Sequence, residues 1–209
     1  FIMVPGHIKG VRLDLAKSLQ NPEIRFNSSN RFTTHDLHDY YNDSVMSSIH
    51  WFHFTNQQTQ KVKIIFAPSY LNGTDGIFNK PYYDLVIGMD LTVFPSYYEP
   101  WGYTPLESVA FAVPTITTDL SGFGQWTSHE TQGIENGVCV IHRSDYNGYA
   151  VATKIAEMIQ QFSATSDEEI KKIRKKASAI AQRALWKHFI QYYDIAYNIA
   201  LTNKNKRIS

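Results

Sequence analysis

Short apolar runs, separated by longer amphipathic segments, constrain the fold of this chain more than any other feature. They are FIMV (1–4), VKIIF (62–66), LTVF (91–94), VPTITT (113–118) and GVCVI (137–141). Runs that are apolar on both faces and alternate with helices are typical of parallel strands covered on two sides. We therefore predict an α/β fold with a Rossmann-like parallel sheet flanked by helices.

Helices are predicted between these strands. Residues 42–53 form one, with Asn42 or Asp43 as the N-cap, and residues 81–89 form a short one that Pro81 opens. A further helix begins in TPLESVAFA (104–112), whose first residue fits an N-cap and whose proline fits the first helical position.

After residue 146 the strand pattern stops and three helices are predicted. The helix over 149–162 has one apolar face, formed by Ile155, Ile159 and Phe162. The next begins with Ser166 as N-cap and Glu169 as its capping-box partner. Its buried face consists of Ile173, Ala177, Ile180 and Ala184. The last, over 185–201, has a stripe of Leu185, Phe189, Tyr193, Ala196 and Ala200.

The organisation of the chain follows from its composition. No linker-like segment divides the 209 residues, so we predict a single domain over 1–201 and a disordered tail at 202–209. The apolar start FIMVP, without an initiating Met, indicates a piece cut from a longer polypeptide.

Charge and cysteine content narrow the class of protein. A formal net charge of +1 gives no sign of nucleic-acid or membrane partners. The single cysteine, Cys139, excludes an intrachain disulfide and is typical of a reducing compartment. No apolar run approaches the roughly 20 residues that span a bilayer, and no signal-peptide pattern is present, so we expect a cytoplasmic protein.

The stretch FPSYYEPWGYTPLESVA, Phe94–Ala110, is the best candidate for a site. Its first residues end a predicted strand, so the loop 95–103 lies at the carboxyl edge of the sheet, where α/β folds bind ligands. With Thr104 as N-cap, the amides near Leu106 are available to bind an anion. The pattern therefore favours a phosphate at this helix start.

Local pattern leaves the roles of the two glutamates in this stretch open. Thr-Pro-Leu-Glu is also a capping box, in which Glu107 only bonds back to the amide of Thr104. Glu99 precedes an unusual turn, Pro100–Gly102, and is either an exposed loop carboxylate or a ligand-binding one.

The string FPSYYEPWGYTPLES, followed by VPTITTDLSGFGQW, closely resembles the signature of glycogen synthases of the fungal and animal type, a family of retaining glycosyltransferases. TTHDLHDYYNDSVMSSI, KVKIIFAPSYL and YYDLVIGMDLTVF resemble the same family in the same order, so nearly the whole chain is covered. The resemblance implies the carboxyl-terminal, donor-binding half of a GT-B glycosyltransferase, with a helical C-terminal extension. The family's amino-terminal domain and its basic Arg/Lys pair for the donor diphosphate would precede Phe1.

The resemblance also implies roles for individual residues. Glu99 corresponds to the catalytic glutamate beside the donor sugar, and Glu107 to the glutamate that binds the ribose hydroxyls. The backbone of Trp101 and Gly102 corresponds to the turn that holds the sugar hydroxyls.

The remaining donor contacts are implied in the same way. Thr104, with the amide of Leu106, corresponds to the diphosphate contact. Tyr82 corresponds to a tyrosine that stacks on the base, and Tyr103 lies near the same pocket. The donor-side loop after 113–118 contains Ser121 and Gly122.

The implied reaction is transfer of glucose to the non-reducing end of an α-1,4-glucan with retention, and no cofactor or metal is expected. UDP-glucose is the favoured donor and ADP-glucose remains open, as does oligomerisation. The glucan is expected to bind mainly to the amino-terminal domain, so the isolated piece should be inactive. Alternatives are another retaining transferase of the sucrose or trehalose type, which the Tyr-rich string disfavours, and a non-catalytic nucleotide-sugar-binding module.

Three other features are candidates of lower weight. The pairs His35/His38 and His50/His53 lack a supporting Cys or carboxylate group, so we expect no metal. The basic run Lys171–Lys176 lies where eukaryotic members of the family place an arginine-rich regulatory helix, but lysines predominate, so we interpret it as a solvated face. The stripe of the last helix is expected to be partly exposed and to cause weak self-association.

Overall fold

The computed structural model describes residues 1–21, 23–24, 27–129 and 133–208, with the backbone alone at 205–208. The chain divides into two compact units, Phe1–Leu85 and Val86–Ser209, where the sequence predicts one domain over 1–201. Each unit has its own buried apolar cluster or clusters.

The first unit combines two small sheets with helices. Its elements are β1 (Ile2–Met3), β2 (Ile8–Val11), α1 (Leu13–Gln20), β3 (His35–Leu37), α2 (Ser44–Trp51), β4 (Phe66–Ala67) and the start of α3 (Tyr82–Val86). Strands β1 and β4 pair in parallel, as their apolar runs predict. Strands β2 and β3 pair antiparallel, and the sequence did not reveal them because they are short and mix apolar with polar residues.

The core of the first unit explains where α2 begins. The carboxylate of Asp43, not the side chain of Asn42, accepts hydrogen bonds from the amides of Val45 and Met46, both at 3.0 Å. Capping at this point turns Met46 and Ile49 into the core. The side chains packed there are Phe32, Leu37, Met46, Ile49 and Phe66.

The second unit is a parallel α/β arrangement. Its elements are the end of α3, β5 (Thr92–Phe94), α4 (Tyr103–Ala110), β6 (Thr115–Thr118), α5 (Gly122–Ser128), a 3-10 helix (Ile134–Asn136), β7 (Val138–Ile141), α6 (Gly148–Ser163), α7 (Asp167–Arg183) and α8 (Trp186–Ile208). The strands lie in the order β5-β6-β7, all parallel. The three strands therefore end at one edge, and the α/β prediction with parallel strands flanked by helices is confirmed.

Helices bury both faces of this sheet with apolar side chains. One cluster joins the sheet to α6 and α7 and contains Ile116, Ile134, Cys139, Ile141, Val151, Met158, Phe162 and Ile173. The other joins α4, α5, β7 and α7 and contains Val109, Phe123, Val138, Ala177, Ile180 and Ala181. The N-cap of α7 is Ser166, as predicted, and its hydroxyl accepts the amide of Glu169 at 3.4 Å.

Two predicted core positions are wrong. Ile159 on α6 is 44% exposed, because the buried stripe runs through Val151 and Met158, and the residue after Met158 is turned about 100° away from it. Ala184 is the C-cap of α7 and is only half-buried, while Ala181 takes the core position one turn earlier.

Helix α8 is largely exposed along its length. The predicted stripe is partly exposed as expected: Leu185 precedes the helix and is 41% exposed, and Tyr193 is 48% exposed. The predicted tail differs from the structure, since 202–208 continue the helix; extending an existing helix needs no new nucleation. Ser209 lies outside the described residues. None of the helices described here is long and apolar enough to cross a membrane.

Candidate functional site

The loop after β5 is bonded to the connection between β6 and α5. The amide of Glu99 donates to the carbonyl of Leu120 at 3.1 Å, and the amide of Gly122 donates to the carbonyl of Glu99 at 3.2 Å. Nearer the strand, the Thr118 hydroxyl donates to the carbonyl of Ser96 at 2.7 Å. These bonds place Glu99 at the carboxyl edge of the parallel sheet, as predicted.

The side chain of Glu99 is half-buried and has acceptor capacity to spare. Within the described part of the chain its carboxylate accepts one long hydrogen bond, from the Ser96 hydroxyl to Oε2 at 3.3 Å. An ionised carboxylate has about four acceptor positions. Glu99 can therefore bind hydroxyl groups of a ligand or face a developing positive charge.

The start of α4 differs from the prediction. Gly102, not Thr104, is the N-cap, with a φ of +106° that favours glycine, and the helix begins at Tyr103. Pro105 then occupies the third helical position, which it tolerates because amides of the first turn lack an intrahelical partner. The capping box is therefore wrong: Glu107 is the fifth residue of the helix, beyond the position that such a box requires.

This earlier start changes which amides face outward from the helix. The amide of Leu106 bonds to the carbonyl of Gly102 at 3.5 Å, as the first hydrogen bond of the helix. The amides of Tyr103 and Thr104 precede it at the N-terminus, where an anion is favoured. Thr104 and Glu107 are both half-buried, and Tyr103 is 68% exposed.

The turn at Ser121 and Gly122 is built for close packing. Ser121 is fully buried; its hydroxyl caps α5 by accepting the amide of Gly124 at 3.0 Å and donates to the carbonyl of Thr118 at 3.2 Å. A Cβ on Gly122 would overlap the carbonyl oxygen of Pro100. Both residues thus shape the loop through packing and backbone position.

Trp101 is an anchor for the same loop. Its ring packs against Phe123, Trp126 and Phe189, with centroid distances of 6.2, 6.0 and 5.5 Å. Its carbonyl accepts the amide of Phe123 at 2.5 Å. Trp101 therefore contributes to a site through its backbone, since its ring is committed to packing.

Tyr82 belongs to the first unit, where it begins α3. Its ring lies 5.7 Å from that of Tyr83, centroid to centroid. Stacking of Tyr82 on a base stays a prediction.

Sequence reasoning missed the polar residues that follow β6 and β7. Asp119 accepts the amide of Arg143 at 2.9 Å through Oδ1, and its Oδ2 lies 2.6 Å from Nδ1 of His142. The guanidinium of Arg143 donates to the carbonyl of Pro95 at 2.5 Å and lies 3.5 Å from the centroid of the Tyr97 ring. The rule that identified the loop after β5 identifies these residues too, because all three strands end at one edge.

Of the four histidines in the two predicted pairs, His35 has a structural role in the core of the first unit. His35 is buried, with ring nitrogens 2.8 Å from the Thr34 hydroxyl and 2.8 Å from the carbonyl of Asp75. Helix α2 ends before His53, so this residue does not share a helical face with His50. Among the described residues, no three His, Cys, Asp or Glu side chains are grouped as a metal site would need.

The basic run on α7 is only partly a solvated face. Arg174 donates to the carbonyls of Met89 at 2.6 Å and Ala112 at 3.2 Å, and Lys176 donates to the carbonyl of Glu135 at 3.1 Å. These two cations hold α7 to neighbouring segments. The solvent-exposed members are Lys171, Lys172, Lys175 and Lys176.

Comparison with known proteins decides the family. The sequence profile of the glycogen synthase family matches residues 20–206, nearly the whole chain. This chain belongs to the glycogen synthase family. The resemblance carried by the Tyr-rich string is thereby confirmed, and with it membership of a family of glycosyltransferases.

Individual glycogen synthases agree with the profile. The chain is 30% identical over 171 residues to the liver glycogen [starch] synthase of Homo sapiens, and equally to that of Rattus norvegicus. It is 36% identical over 146 residues to glycogen [starch] synthase isoform 1 of Saccharomyces cerevisiae. These alignments cover 81% and 68% of this chain but 24% and 20% of the relatives. The chain therefore spans a quarter or less of the glycogen synthases it matches.

Proposed function

We propose that this chain is the donor-binding part of a glycogen synthase that transfers glucose from UDP-glucose to the non-reducing end of an α-1,4-glucan with retention. The observation that best supports this is the setting of Glu99. In a chain of the glycogen synthase family, a half-buried carboxylate with spare acceptor positions lies on a bonded loop at the carboxyl edge of a parallel sheet.

Glu99 has the chemistry that the donor sugar needs. Cleavage of a glycosidic bond to a leaving group builds positive charge at the anomeric carbon. A fixed carboxylate nearby stabilises that charge more in the transition state than in the ground state, which is the requirement for catalysis. We assign this role to Glu99 and assign the sugar hydroxyls to the backbone of Trp101 and Gly102.

The start of α4 suits the nucleotide part of the donor. The helix N-terminus has a partial positive charge, and we assign the diphosphate to the amides of Tyr103 and Thr104, which begin the helix. Glu107, one turn further, accepts hydrogen bonds from the two ribose hydroxyls. Its position beyond the first turn keeps the carboxylate away from the phosphates that the helix start attracts.

The proposal also states what the 209-residue chain does by itself: first how tightly it binds the donor, and second whether it transfers glucose. A diphosphate that leaves with growing negative charge needs basic side chains as well as amides. We propose that these residues, and the main glucan-binding surface, lie outside residues 1–209, so that the chain binds the donor weakly and transfers no glucose. The single cysteine supports a reducing, cytoplasmic location.

Calorimetric titration of the 209-residue chain with UDP-glucose, UDP, ADP-glucose and ADP tests the proposal. We expect weak binding of the uridine ligands and a loss of the preference for UDP-glucose over UDP in Glu99→Gln. Glu157→Gln, an exposed change on α6, is the matched control and should bind like the parent chain. Absence of nucleotide binding at millimolar concentration, or an equal effect of the control, would overturn the assignment.

An assay of radiolabelled glucose transfer from UDP-glucose to glycogen tests whether the chain by itself is inactive. We expect no incorporation by the chain alone. Measurable incorporation would show that the residues present complete the reaction without further basic side chains.

A further inference from the structure

Arg143 joins the end of β7 to the loop that carries Glu99. It is the second residue after β7, and its guanidinium donates to the carbonyl of Pro95, the first residue after β5, at 2.5 Å. The same guanidinium lies 3.5 Å from the centroid of the Tyr97 ring, within the range of a cation–π interaction. The side chain of Arg143 therefore contacts both Pro95 and Tyr97, the two ends of the segment 95–97.

The backbone of Arg143 is itself fixed. Its amide donates to Oδ1 of Asp119 at 2.9 Å, and the second oxygen of that carboxylate pairs with His142 at 2.6 Å. The side-chain amide of Asn147 donates to the carbonyl of His142 at 3.0 Å. The guanidinium therefore extends from a rigid base formed by the ends of β6 and β7.

One nitrogen atom of Arg143 is in an unfavourable environment. Its Nε is buried and has no hydrogen-bond partner within the described part of the chain. A buried donor without a partner is unfavourable, so the contacts with Pro95 and Tyr97 must outweigh its desolvation. Such an exception to hydrogen-bond pairing calls for an explanation, and a positioning role supplies one.

The segment that Arg143 holds leads directly to the carboxylate. Ser96 lies between the two contacted residues, and its hydroxyl bonds to Oε2 of Glu99 at 3.3 Å. Movement of 95–97 therefore moves the donor of that bond. The bonds of Glu99 to the β6–α5 connection fix its backbone but not its side-chain direction.

We propose that Arg143 is a positioning residue that directs the Glu99 carboxylate toward the donor sugar by fixing the segment 95–97. That Glu99 faces a donor sugar rests on the proposed function, whereas the fixing of segment 95–97 by Arg143 does not. Loss of Arg143 should loosen the segment and weaken recognition of the glucose part of the donor. Recognition of the nucleotide part, assigned to α4, should stay unchanged.

Hydrogen exchange and ligand titration of three variants test this. Arg143→Met keeps the aliphatic stem and removes the charge and donors, Arg143→Lys keeps the charge, and Tyr97→Leu removes the ring. Lys172→Met, an exposed change on α7, is the control for loss of one positive charge. Amide exchange at 96–99 should rise about fivefold in Arg143→Met, less in the other two variants, and not in the control.

The outcomes separate the possible roles. Amide exchange in α4 and α6 should stay unchanged, and the ratio of the Kd for UDP to the Kd for UDP-glucose should fall toward one in Arg143→Met. Unchanged exchange at 96–99, or an equal rise throughout the second unit, would overturn the positioning role. If the parent chain binds neither UDP nor UDP-glucose, the proposed function fails. Amide hydrogen exchange at 96–99 in the parent chain and the variants still decides whether Arg143 fixes the segment. If Arg143→Met does not fold, Arg143→Lys and Tyr97→Leu make the same comparison.

Discussion

The backbone of Glu99 pairs with that of Ser121 in an isolated parallel bridge. This bridge bonds the loop after β5 to the connection between β6 and α5. The two segments are therefore adjacent and parallel where they leave the sheet. The position of the Glu99 carboxylate therefore depends on how closely these two connections pack.

Gly122→Ala should displace the Glu99 loop. The added Cβ would overlap the carbonyl oxygen of Pro100 and lie 3.2 Å from Cα of Trp101, both backbone atoms that cannot turn away. We expect a loss of about 1 to 3 kcal/mol in the free energy of unfolding and a weaker preference for UDP-glucose over UDP. Chemical denaturation and calorimetry measure the two effects. Gly148→Ala is the control, since a Cβ there meets open space, and an equal loss in that variant would contradict the packing argument.

Glu107→Gln should weaken binding of the ribose. The amide keeps the shape of the side chain but removes the charge that strengthens hydrogen bonds to two hydroxyls. We expect the Kd for UDP to rise about tenfold, with the preference for UDP over its 2′-deoxy form lost. Retention of that preference in the variant would show that another residue binds the ribose.

Phe189→Ala should release α8. Phe189 lies on this mostly exposed helix, and its ring centroid is 5.5 Å from that of Trp101 and 5.6 Å from that of Trp126. Each aromatic pair is worth about 0.5 to 1.5 kcal/mol beyond burial, so amide exchange along α8 should rise markedly. Tyr197→Ala, at a ring that is 60% exposed, is the control, and similar exchange in both variants would count against this anchor.

Cys139 should react slowly with thiol reagents while the chain is folded. Burial, and to a smaller extent the charge of Glu135, raises the pKa of its thiol despite the opposing effect of Lys154. The thiolate is the reactive form, so little of it is present at neutral pH. Modification rates with a disulfide reagent, with and without denaturant, measure this; equal rates would contradict it.

The same shift predicts a pH dependence of stability. Because the folded-state pKa is raised, the unfolded chain loses the Cys139 proton at lower pH than the folded chain. The free energy of unfolding should therefore fall as pH rises through the ordinary thiol range, above about pH 8.5, toward the folded-state pKa. Cys139→Ala should lack this component, which denaturation curves across that range would show.

Local sequence patterns predicted well those elements whose residues all have the same kind of surroundings or whose contacts lie within one turn. The runs that became β5, β6 and β7 are apolar because helices cover both faces of the sheet, and Ser166 caps α7 through contacts within one turn. Prediction was less accurate where neighbours decide. Ile159 follows the helical period almost as well as Met158, and only packing against the sheet selects Met158.

The start of α4 shows the same limit at the site. Thr-Pro-Leu-Glu fits a capping box, yet Gly102 takes the N-cap position, where a Cβ would lie 3.4 Å from the Cβ atoms of Ser121 and Phe123. A side chain at Gly102 would be strained at its φ of +106° and in tight contact with these neighbours. Ser121 and Phe123 lie about 20 positions further along the chain, so the pattern within 102–107 contains no information about them.

By itself the sequence determined the α/β class and the family, because strand periodicity and a specific string are properties of contiguous residues; the roles of Glu99 and Glu107 are predictions from the same string. Only the tertiary structure decided the helix start at Gly102, the close approach of Gly122 to the Glu99 loop, and the contact of Arg143 with Pro95 and Tyr97. Those features join the ends of three parallel strands, and the residues involved are up to 48 positions apart in sequence. Contacts of that range exist only once the sheet has brought the strand ends to one edge.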